Sequence, residues 1–300
     1  YNRLGSTNTG IKLTQNILPN SVTYSNQYTT KKGLNQQHAG NGKYEWKMDS
    51  LATFRIVTTF TRKLGETTGQ NNSEFIGSSL DTVNQSFNNY SNNTLRNQLD
   101  NQFTWKQLFK KKNRQWQTVL RYGVTEDDNN GLNYTRIRFF DASGAYSYSD
   151  TVDQQKLFDG RSTTMGVKST FMEPLTDKWM LVVDYAYNKN HSRSLRNTFE
   201  KGFNGKYEDR VAEFSNNFEL DAFSHSGNAI FRYIGKKMRA GIGSGISSIK
   251  LGLQNLDDST FNHYNFFNVT PQVQVNFTPK TQFNIGVNYR GNTIQPNISQ

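Results

Sequence analysis

The sequence predicts an all-β fold, an antiparallel up-and-down transmembrane β-barrel with about ten or eleven strands visible. Three observations lead to this prediction. Apolar and polar residues alternate along many segments with the period of two that belongs to a β-strand. Only 34% of the 300 residues are hydrophobic, yet aromatic residues reach 13%. Short and long connections alternate between the segments, as they do in a barrel whose turns are short at one end.

The segment 281–290, TQFNIGVNYR, shows the strand pattern most clearly. Phe283, Ile285, Val287 and Tyr289 fall on one side of an extended strand, and bulky amides and an arginine fall on the other. A water-filled barrel in lipid needs strands of this kind, apolar outside and polar inside, with aromatic residues at the ends.

The same alternation assigns side chains of other strands to two faces. Five residues are predicted to face lipid: Phe54, Leu120, Val183, Ile242 and Ile285. Five neighbours are predicted to face the lumen: Arg55, Arg121, Asp184, Arg239 and Asn284. Because a slip of one residue would exchange the two faces, the assignment depends on the register of every strand.

Five short turns are predicted, centred near residues 50, 112, 176, 236 and 279, each of a length that suits a hairpin. Pro174 ends the strand before the third turn, because proline cannot donate to a β-ladder. The polar stretches between the turns are predicted to be long loops, at residues 65–98, 126–164, 189–221 and 251–265.

These boundaries describe one partial barrel domain over 1–300. It comprises a strand end plus a long loop (1–37), five hairpins (38–291) and the start of the next loop (292–300). The chain begins without a methionine or a basic-then-apolar leader, so either a leader was removed or this is a piece of a longer protein, and we favour the second.

All four tryptophans lie close to the predicted short turns: Trp46, Trp105, Trp116 and Trp179. Indole rings prefer the interface between membrane and water, so these residues are predicted to form a girdle on the short-turn side. The alternative is that they are ordinary tryptophans at the ends of a sheet.

Composition excludes several other classes of protein. A disordered chain is normally poor in aromatic residues. The chain has no cysteine, which excludes a disulfide framework and cysteine-based zinc or redox motifs. Its longest apolar run, 179–183, is far shorter than the ~20 residues of a membrane helix. The net charge of +11 is scattered, and its densest run, 110–114, lies in a turn, so no nucleic-acid partner is expected.

No motif indicates catalysis, a cofactor or a metal, and we predict that the protein is not an enzyme. Gly241, Gly243 and Gly245 fall on one face of a strand without the helix that a nucleotide site requires, and small residues lining the lumen explain them better. The four histidines lack ligand spacing, and 126–131 resembles a calcium loop in composition only.

Aromatic and amide-rich segments in the predicted long loops leave two interpretations open. They are Phe139–Phe140, Tyr146, Tyr148 and Phe261–Phe267. Flat rings beside hydrogen-bonding groups suit the capture of a ligand such as a sugar or a peptide. Alternatively, the loops simply pack against one another.

Three segments resemble motifs of a known family. Tyr44–Leu51 (YEWKMDSL) and Glu173–Trp179 (EPLTDKW) are similar to two turns, and Tyr289–Gln300 (YRGNTIQPNISQ) to a later segment, in the barrels of Bacteroidota outer-membrane proteins related to TonB-dependent receptors. The resemblance covers the chain from about residue 38 onward and implies an arc of a barrel of roughly 22 strands. It also implies a plug, a TonB-type energy-coupling partner and a location in the outer membrane of a Gram-negative bacterium.

The leading functional hypothesis is therefore an outer-membrane receptor and transporter. It would contact outer-membrane lipid, capture an unidentified nutrient through its long loops and pass it through a polar lumen. A structural or secretion-associated barrel is the alternative, and a barrel hydrolase is a third. A clustered His/Asp or Ser/His pair at the long-loop end would favour the hydrolase.

Overall fold

A computed structural model describes residues 1–19, 21–280 and 282–291. These residues form a single antiparallel sheet with one short 3₁₀ turn, η1 (Ala212–Phe214). The strands are β1 (Asn2–Leu18), β2 (Ser21–Lys47), β3 (Ala52–Ile76), β4 (Thr82–Leu108), β5 (Gln115–Phe140), β6 (Tyr146–Pro174), β7 (Trp179–Lys201), β8 (Tyr207–Arg210), β9 (Asn216–Ile234), β10 (Met238–Asn255), β11 (Phe261–Lys280) and β12 (Phe283–Arg290).

The strands follow one another in chain order across the sheet, except that the short β8 folds back and pairs with β7 alone. This up-and-down order confirms the predicted fold class, and eleven strands lie on the main path. Among the described residues, β1 and β12 are the two edges of the sheet and do not pair with each other. The sheet is therefore an open arc.

Tight turns connect the strands at one end of the sheet, which we call the near end. These connections cover residues 48–51, 109–114, 175–178 and 235–237, where the sequence predicts short turns. In the first, the carboxylate of Asp49 accepts the backbone N–H groups of Leu51 and Ala52 at 2.6 and 2.7 Å. In the second, Asn113 adopts a positive φ of 65°, a conformation that asparagine tolerates. The structure corrects the fifth turn, predicted at residues 278–280: these residues form the end of β11, which extends to Lys280, and residue 281 lies outside the described residues.

The opposite, far end of the sheet corrects the prediction of long loops. The segments 65–98, 126–164, 189–221 and 251–265 consist mostly of strand, and only the connections 77–81, 141–145, 202–206, 211–215 and 256–260 lie outside the β-ladder. Residues 1–37 likewise contain β1 and most of β2 rather than a strand end and a loop. The predicted start of a loop at 292–300 lies outside the described residues.

The far-end strands were mistaken for loops because both of their faces are polar. Asn, Ser and Thr are typical of turns, but here their side chains hydrogen-bond across the ladder. Asn88 Nδ2, for example, donates to Asn133 Oδ1 and Thr135 Oγ1 at 2.8 and 2.7 Å on the adjacent strand. Cross-strand pairs of this kind stabilise a sheet that has no apolar face to bury.

The sheet has no second layer among the described residues, and therefore almost no core. Ala52 and Val182 are the only hydrophobic residues there that are fully buried, whereas Ile242 is 62% exposed. In the same part of the chain, no helix has the length and hydrophobicity needed to cross a membrane. The large apolar side chains thus form a contiguous exposed surface, which marks an interaction site for lipid or protein.

Candidate functional site: the two faces of the sheet

The two faces of the sheet differ sharply, and strand register defines them. Opposed residues of an antiparallel pair lie on the same face, so a face can be followed from strand to strand. Phe103 opposes both Ile56 and Leu120, Leu120 opposes Val167, and Val167 opposes Tyr187. Continuous pairing carries the same face through β9 to β12.

This register places all five residues predicted to face lipid on one face, which we call the band face: Phe54, Leu120, Val183, Ile242 and Ile285. It places all five residues predicted to face the lumen on the other, which we call the polar face: Arg55, Arg121, Asp184, Arg239 and Asn284. Which face meets lipid stays a prediction, since pairing alone does not define the solvent.

The apolar residues of the band face occupy a belt close to the near end. On β7 the belt runs from Trp179 to Tyr187 through Leu181, Val183 and Tyr185. This span matches the roughly 9–11 residues with which a strand crosses a bilayer. An aromatic residue lies at each end of the belt, as expected where a strand enters and leaves the hydrocarbon layer.

The four tryptophans lie on the band face at the near-end edge of this belt. Trp46 opposes Phe54, which in turn opposes Trp105, and Trp116 and Trp179 lie next to the ends of their own turns. The Trp179 and Tyr233 rings are 5.2 Å apart. The arrangement is that of an interface girdle, and contact with lipid headgroups remains a prediction.

Charged residues on the band face end the belt on its far side. Glu126 opposes Arg161, Arg161 opposes Arg193, and Arg193 opposes Glu219 across four strands. On β7 the change occurs at Lys189, directly beyond Tyr187. Beyond this level polar residues predominate on both faces of β3 to β7, whereas β1 exposes Ile11, Leu13 and Ile17 on the band face. The strands continue well past the belt; β6 alone has 29 residues.

His191 lies in this charged region and, among the described residues, forms an acid–histidine cluster relevant to the hydrolase hypothesis. Its Nδ1 is 3.0 Å from Asp221 and its Nε2 is 3.3 Å from Glu219. The Nδ1 contact is a hydrogen bond, whereas Nε2 and Glu219 lie within ion-pair range only. The cluster therefore ties β7 to β9.

The glycines of β10 and residues 126–131, which the sequence analysis considered as candidate binding motifs, have structural roles. In β10, a Cβ at Gly243 would collide with the backbone of Ala229 and Ile230, and one at Gly245 with the Asn228 side chain, so β9 approaches closely there. Residues 126–131 belong to β5 rather than to a calcium loop. In the described ranges, no group of three or more His, Cys, Asp or Glu side chains is placed so that it could hold a metal ion.

The polar face carries far more cations than carboxylates. Its strand cations are Lys12, Lys31, Lys43, Lys47, Arg55, Lys63, Arg96, Lys106, Arg121, Lys156, Lys168, Arg196, Arg232, Arg239 and Arg290. Its strand carboxylates are Glu45, Asp100, Asp127, Asp150, Asp184 and Glu200. The charge of +11 that appears scattered in sequence is thus concentrated on one face.

The largest cavity described lies on the polar face towards the far end, with a volume of about 900 Å³. Its floor is formed by three register rows that cross β2 to β7. Tyr90 opposes Asn133 in the first row, Asn92 and Lys156 both oppose Gly131 in the second, and Asn129 opposes Phe158 in the third. We call it the far-end cavity.

The 3₁₀ turn η1 covers one side of the far-end cavity. Thr198, which is only 1% exposed, donates from Oγ1 to the carbonyl oxygen of Phe214 at 3.0 Å. Its backbone N–H donates to Ser215 Oγ at 3.1 Å. These bonds fix η1 on β7 and place Phe214 among the residues that line the cavity.

The rest of this connection is held by ion pairs and hydrogen bonds at the far end. The hydroxyl of Tyr207 donates to Asp153 at 2.7 Å, and this acceptor raises the pKa of Tyr207 to about 12. Arg210 pairs with Asp257 at 2.6 Å, which joins the connection before β9 to that after β10. Asp153 and Tyr207 lie on the band-face side, so these contacts anchor the connection itself and do not line the cavity.

Sequence reasoning missed the cavity residues because it assigned them to loops. The cations that line it are Lys31, Lys156 and Arg196. An alternation of side chains with a period of two would have indicated strands in these segments. Because polar residues occupy both faces there, no alternation between apolar and polar residues is visible in the sequence.

Comparison with known proteins agrees with this geometry. The model of the outer membrane protein beta-barrel family matches residues 107–300. The chain belongs to the outer membrane protein beta-barrel family. Membership places this barrel protein in the outer membrane. No curated protein matches its sequence.

Two solved structures are similar to this barrel at low sequence identity. The translocator domain of autotransporter NalP from Neisseria meningitidis is 11% identical, with 97% of this chain and 82% of that chain covered and a TM-score of 0.30. The ferric citrate transporter FecA in the unliganded form is 8% identical, with 95% of this chain and 43% of that chain covered and a TM-score of 0.39. The chain thus spans less than half the length of FecA, and neither similarity carries functional weight.

Proposed function

We propose that this outer-membrane barrel is a receptor and transporter, which captures a nutrient at the far end and passes it through a lumen lined by the polar face. One observation carries the proposal: within the belt, the large apolar and aromatic residues concentrate on the band face, while the charged strand residues concentrate on the polar face. A hydrophilic conduit through lipid requires this separation, because exposed charges in hydrocarbon are costly.

The extended strands support capture outside the membrane. A bilayer is crossed by roughly 9–11 residues of a strand. β2 and β4 have 27 residues each, and β6 has 29. The surplus of each strand lies beyond the charged end of the belt, so the far end forms a rigid vestibule where the sequence predicted long loops.

Energy coupling rests on the family resemblance of the turn motifs. In that reading the arc belongs to a barrel of roughly 22 strands, filled by a plug that a TonB-type protein displaces. In the described part of the chain, the open edges within the belt are residues 38–47 of β2, which β1 does not reach, and β12. They favour the larger barrel, because lipid cannot satisfy unpaired backbone groups.

Uptake by intact cells tests the proposal. Cells with and without the gene for the full-length protein would be given radiolabelled sugars, peptides and organic acids, with and without a protonophore. We expect uptake of one solute class to require both the gene and an energised membrane. Unchanged uptake of every solute, with the protein present in the outer membrane of the control cells, would contradict transport. Loss of a surface or secreted protein instead would favour the secretion-associated alternative.

A further inference from the structure

We infer that the far-end cavity binds an extended anionic ligand with flat apolar faces, of the chemical class of acidic oligosaccharides. The inference rests on the proposed function, because it takes the polar face as the lining of a lumen that solutes enter from the far end. It adds the class of solute and the residues that would recognise it.

Three cations point to an anion. Lys31, Lys156 and Arg196 line the cavity, and none of its described lining residues carries a carboxylate. Within the described part of the chain, none of the three forms a salt bridge. Neighbouring cations on the same face do find partners: Lys168 lies 3.3 Å from Asp184, and Arg96 lies 3.5 Å from Asp127.

The spacing of these cations fits an elongated ligand. Lys156 opposes Thr198, so Arg196 is its diagonal neighbour, at about 7–8 Å. Lys31 lies four strands away on β2, which corresponds to roughly 19 Å at the usual spacing between strands. A small inorganic anion would reach one end only, whereas a chain with repeated carboxylates would contact both.

The cavity floor offers flat apolar surfaces between the cations. A Cβ at Gly69 would collide with the ring of Tyr90, and one at Gly160 would lie 2.7 Å from the ring of Phe158. Both rings therefore lie close to glycines of the polar face, where no side chain separates them from the sheet. The guanidinium of Arg196 lies 5.8 Å from the centre of the Phe158 ring, which holds a cation beside an apolar surface.

Amides complete the set of recognition groups. Asn92, Asn129 and Asn133 line the same floor. Amides that donate and accept hydrogen bonds beside aromatic rings suit the hydroxyl groups of a saccharide. Arginine binds a carboxylate through two parallel hydrogen bonds.

The excess of cations on the polar face would also attract such an anionic ligand from the far end towards the near end. Towards the near end, a second cavity of about 570 Å³ is lined by Arg232, Arg239 and Arg290 together with Gln272 and Gln274. Cations at both ends of one face attract an anion along its length, and they disfavour cationic solutes.

Binding to the full-length protein in detergent tests the inference by calorimetry with trigalacturonate, maltotriose and tripolyphosphate. The variant K156Q/R196Q removes two cavity cations. The matched control R136Q/R138Q removes two arginines of β5 that lie on the band-face side of the same end. We expect the Kd for trigalacturonate to rise at least about ten-fold in the first and less than about two-fold in the second, with heat-modifiable gel mobility showing that both variants fold.

Each other result overturns the inference. Equal weakening in both variants would mean that general charge attracts the ligand. Equally tight maltotriose would exclude recognition of an anion, and equally tight tripolyphosphate would exclude a saccharide. Because binding in detergent needs no transport, its failure leaves the uptake experiment unaffected, and a failure of uptake leaves the cavity testable.

Discussion

Arg114 in the second near-end turn donates two parallel hydrogen bonds to Glu173 at the end of β6, from Nε to Oε2 and from Nη2 to Oε1, each at 2.7 Å. Lys111 adds a third contact to the same carboxylate at 2.7 Å. The basic run that the sequence presents as a solvated turn therefore ties the second turn to the third. The resulting pKa of Glu173 is about 2, compared with an ordinary value of 4.5, mainly through the bonds from Arg114 and Lys111.

This pair predicts a specific acid sensitivity. A carboxylate whose pKa is lowered on folding stabilises the fold above its unfolded pKa, and loses that contribution as pH falls through the folded pKa. We expect thermal stability of the full-length protein in detergent to fall between about pH 4.5 and about pH 2, and E173Q to show a smaller fall. D177N, which removes a carboxylate of the same connection, serves as the control. Identical pH profiles for wild type and E173Q would contradict the assignment.

The glycines of β10 predict that alanine variants at Gly243 and Gly241 differ in stability. A Cβ at Gly243 meets the backbone of β9, whereas one at Gly241 meets only ordinary contacts of 3.7–3.8 Å. We expect G243A to lower the free energy of unfolding by about 1–3 kcal/mol relative to G241A, the usual cost of overpacking. Urea unfolding in lipid vesicles measures the difference, and equal stability would show that β9 and β10 are further apart than described.

The tryptophan girdle predicts a shallow depth for all four indole rings. Trp46, Trp105, Trp116 and Trp179 lie at one edge of the band. Variants that retain one of them at a time, with phenylalanine at the others, would be reconstituted with lipids brominated at different depths. We expect the strongest quenching from bromines near the headgroups. Maximal quenching at the bilayer centre would refute the girdle.

The extended strands predict protection from hydrogen exchange far from the membrane. Residues 66–74 of β3 and 85–93 of β4 pair continuously, while 77–81 connect the two strands. We expect backbone amides of the two paired segments to exchange at least about a hundred-fold more slowly than those of the connection, because local opening must break ladder bonds. Comparable exchange rates would contradict the paired strands and favour the long loop that the sequence predicts.

The sequence was sufficient for the fold and for the faces where one face is apolar. On β7, the alternation from Trp179 to Tyr187 specifies strand, register and orientation together. The first four turns were equally predictable from sequence, since residues such as Asp49 and Pro174 end a strand through their own local chemistry. In both cases the information is contained in neighbouring residues.

The far-end cavity was not predictable in the same way. Its cations Lys31, Lys156 and Arg196 come from β2, β6 and β7, and only the register of the intervening strands brings them onto one surface. Asparagine and threonine favour turns in isolation, and their cross-strand bonds appear only once the ladder exists. The pairing energy that overrides local preference is a property of the whole sheet.

The central claim is that the band face meets lipid and the polar face meets water. Single cysteines placed at positions 181, 183 and 185 on the band face and at 184 and 186 on the polar face of β7 test it directly, because the chain contains no cysteine of its own. After labelling with an environment-sensitive fluorophore in lipid vesicles, we expect brominated lipids to quench the first set and iodide to quench the second. Quenching without a period of two, or with the two sets exchanged, would contradict the account.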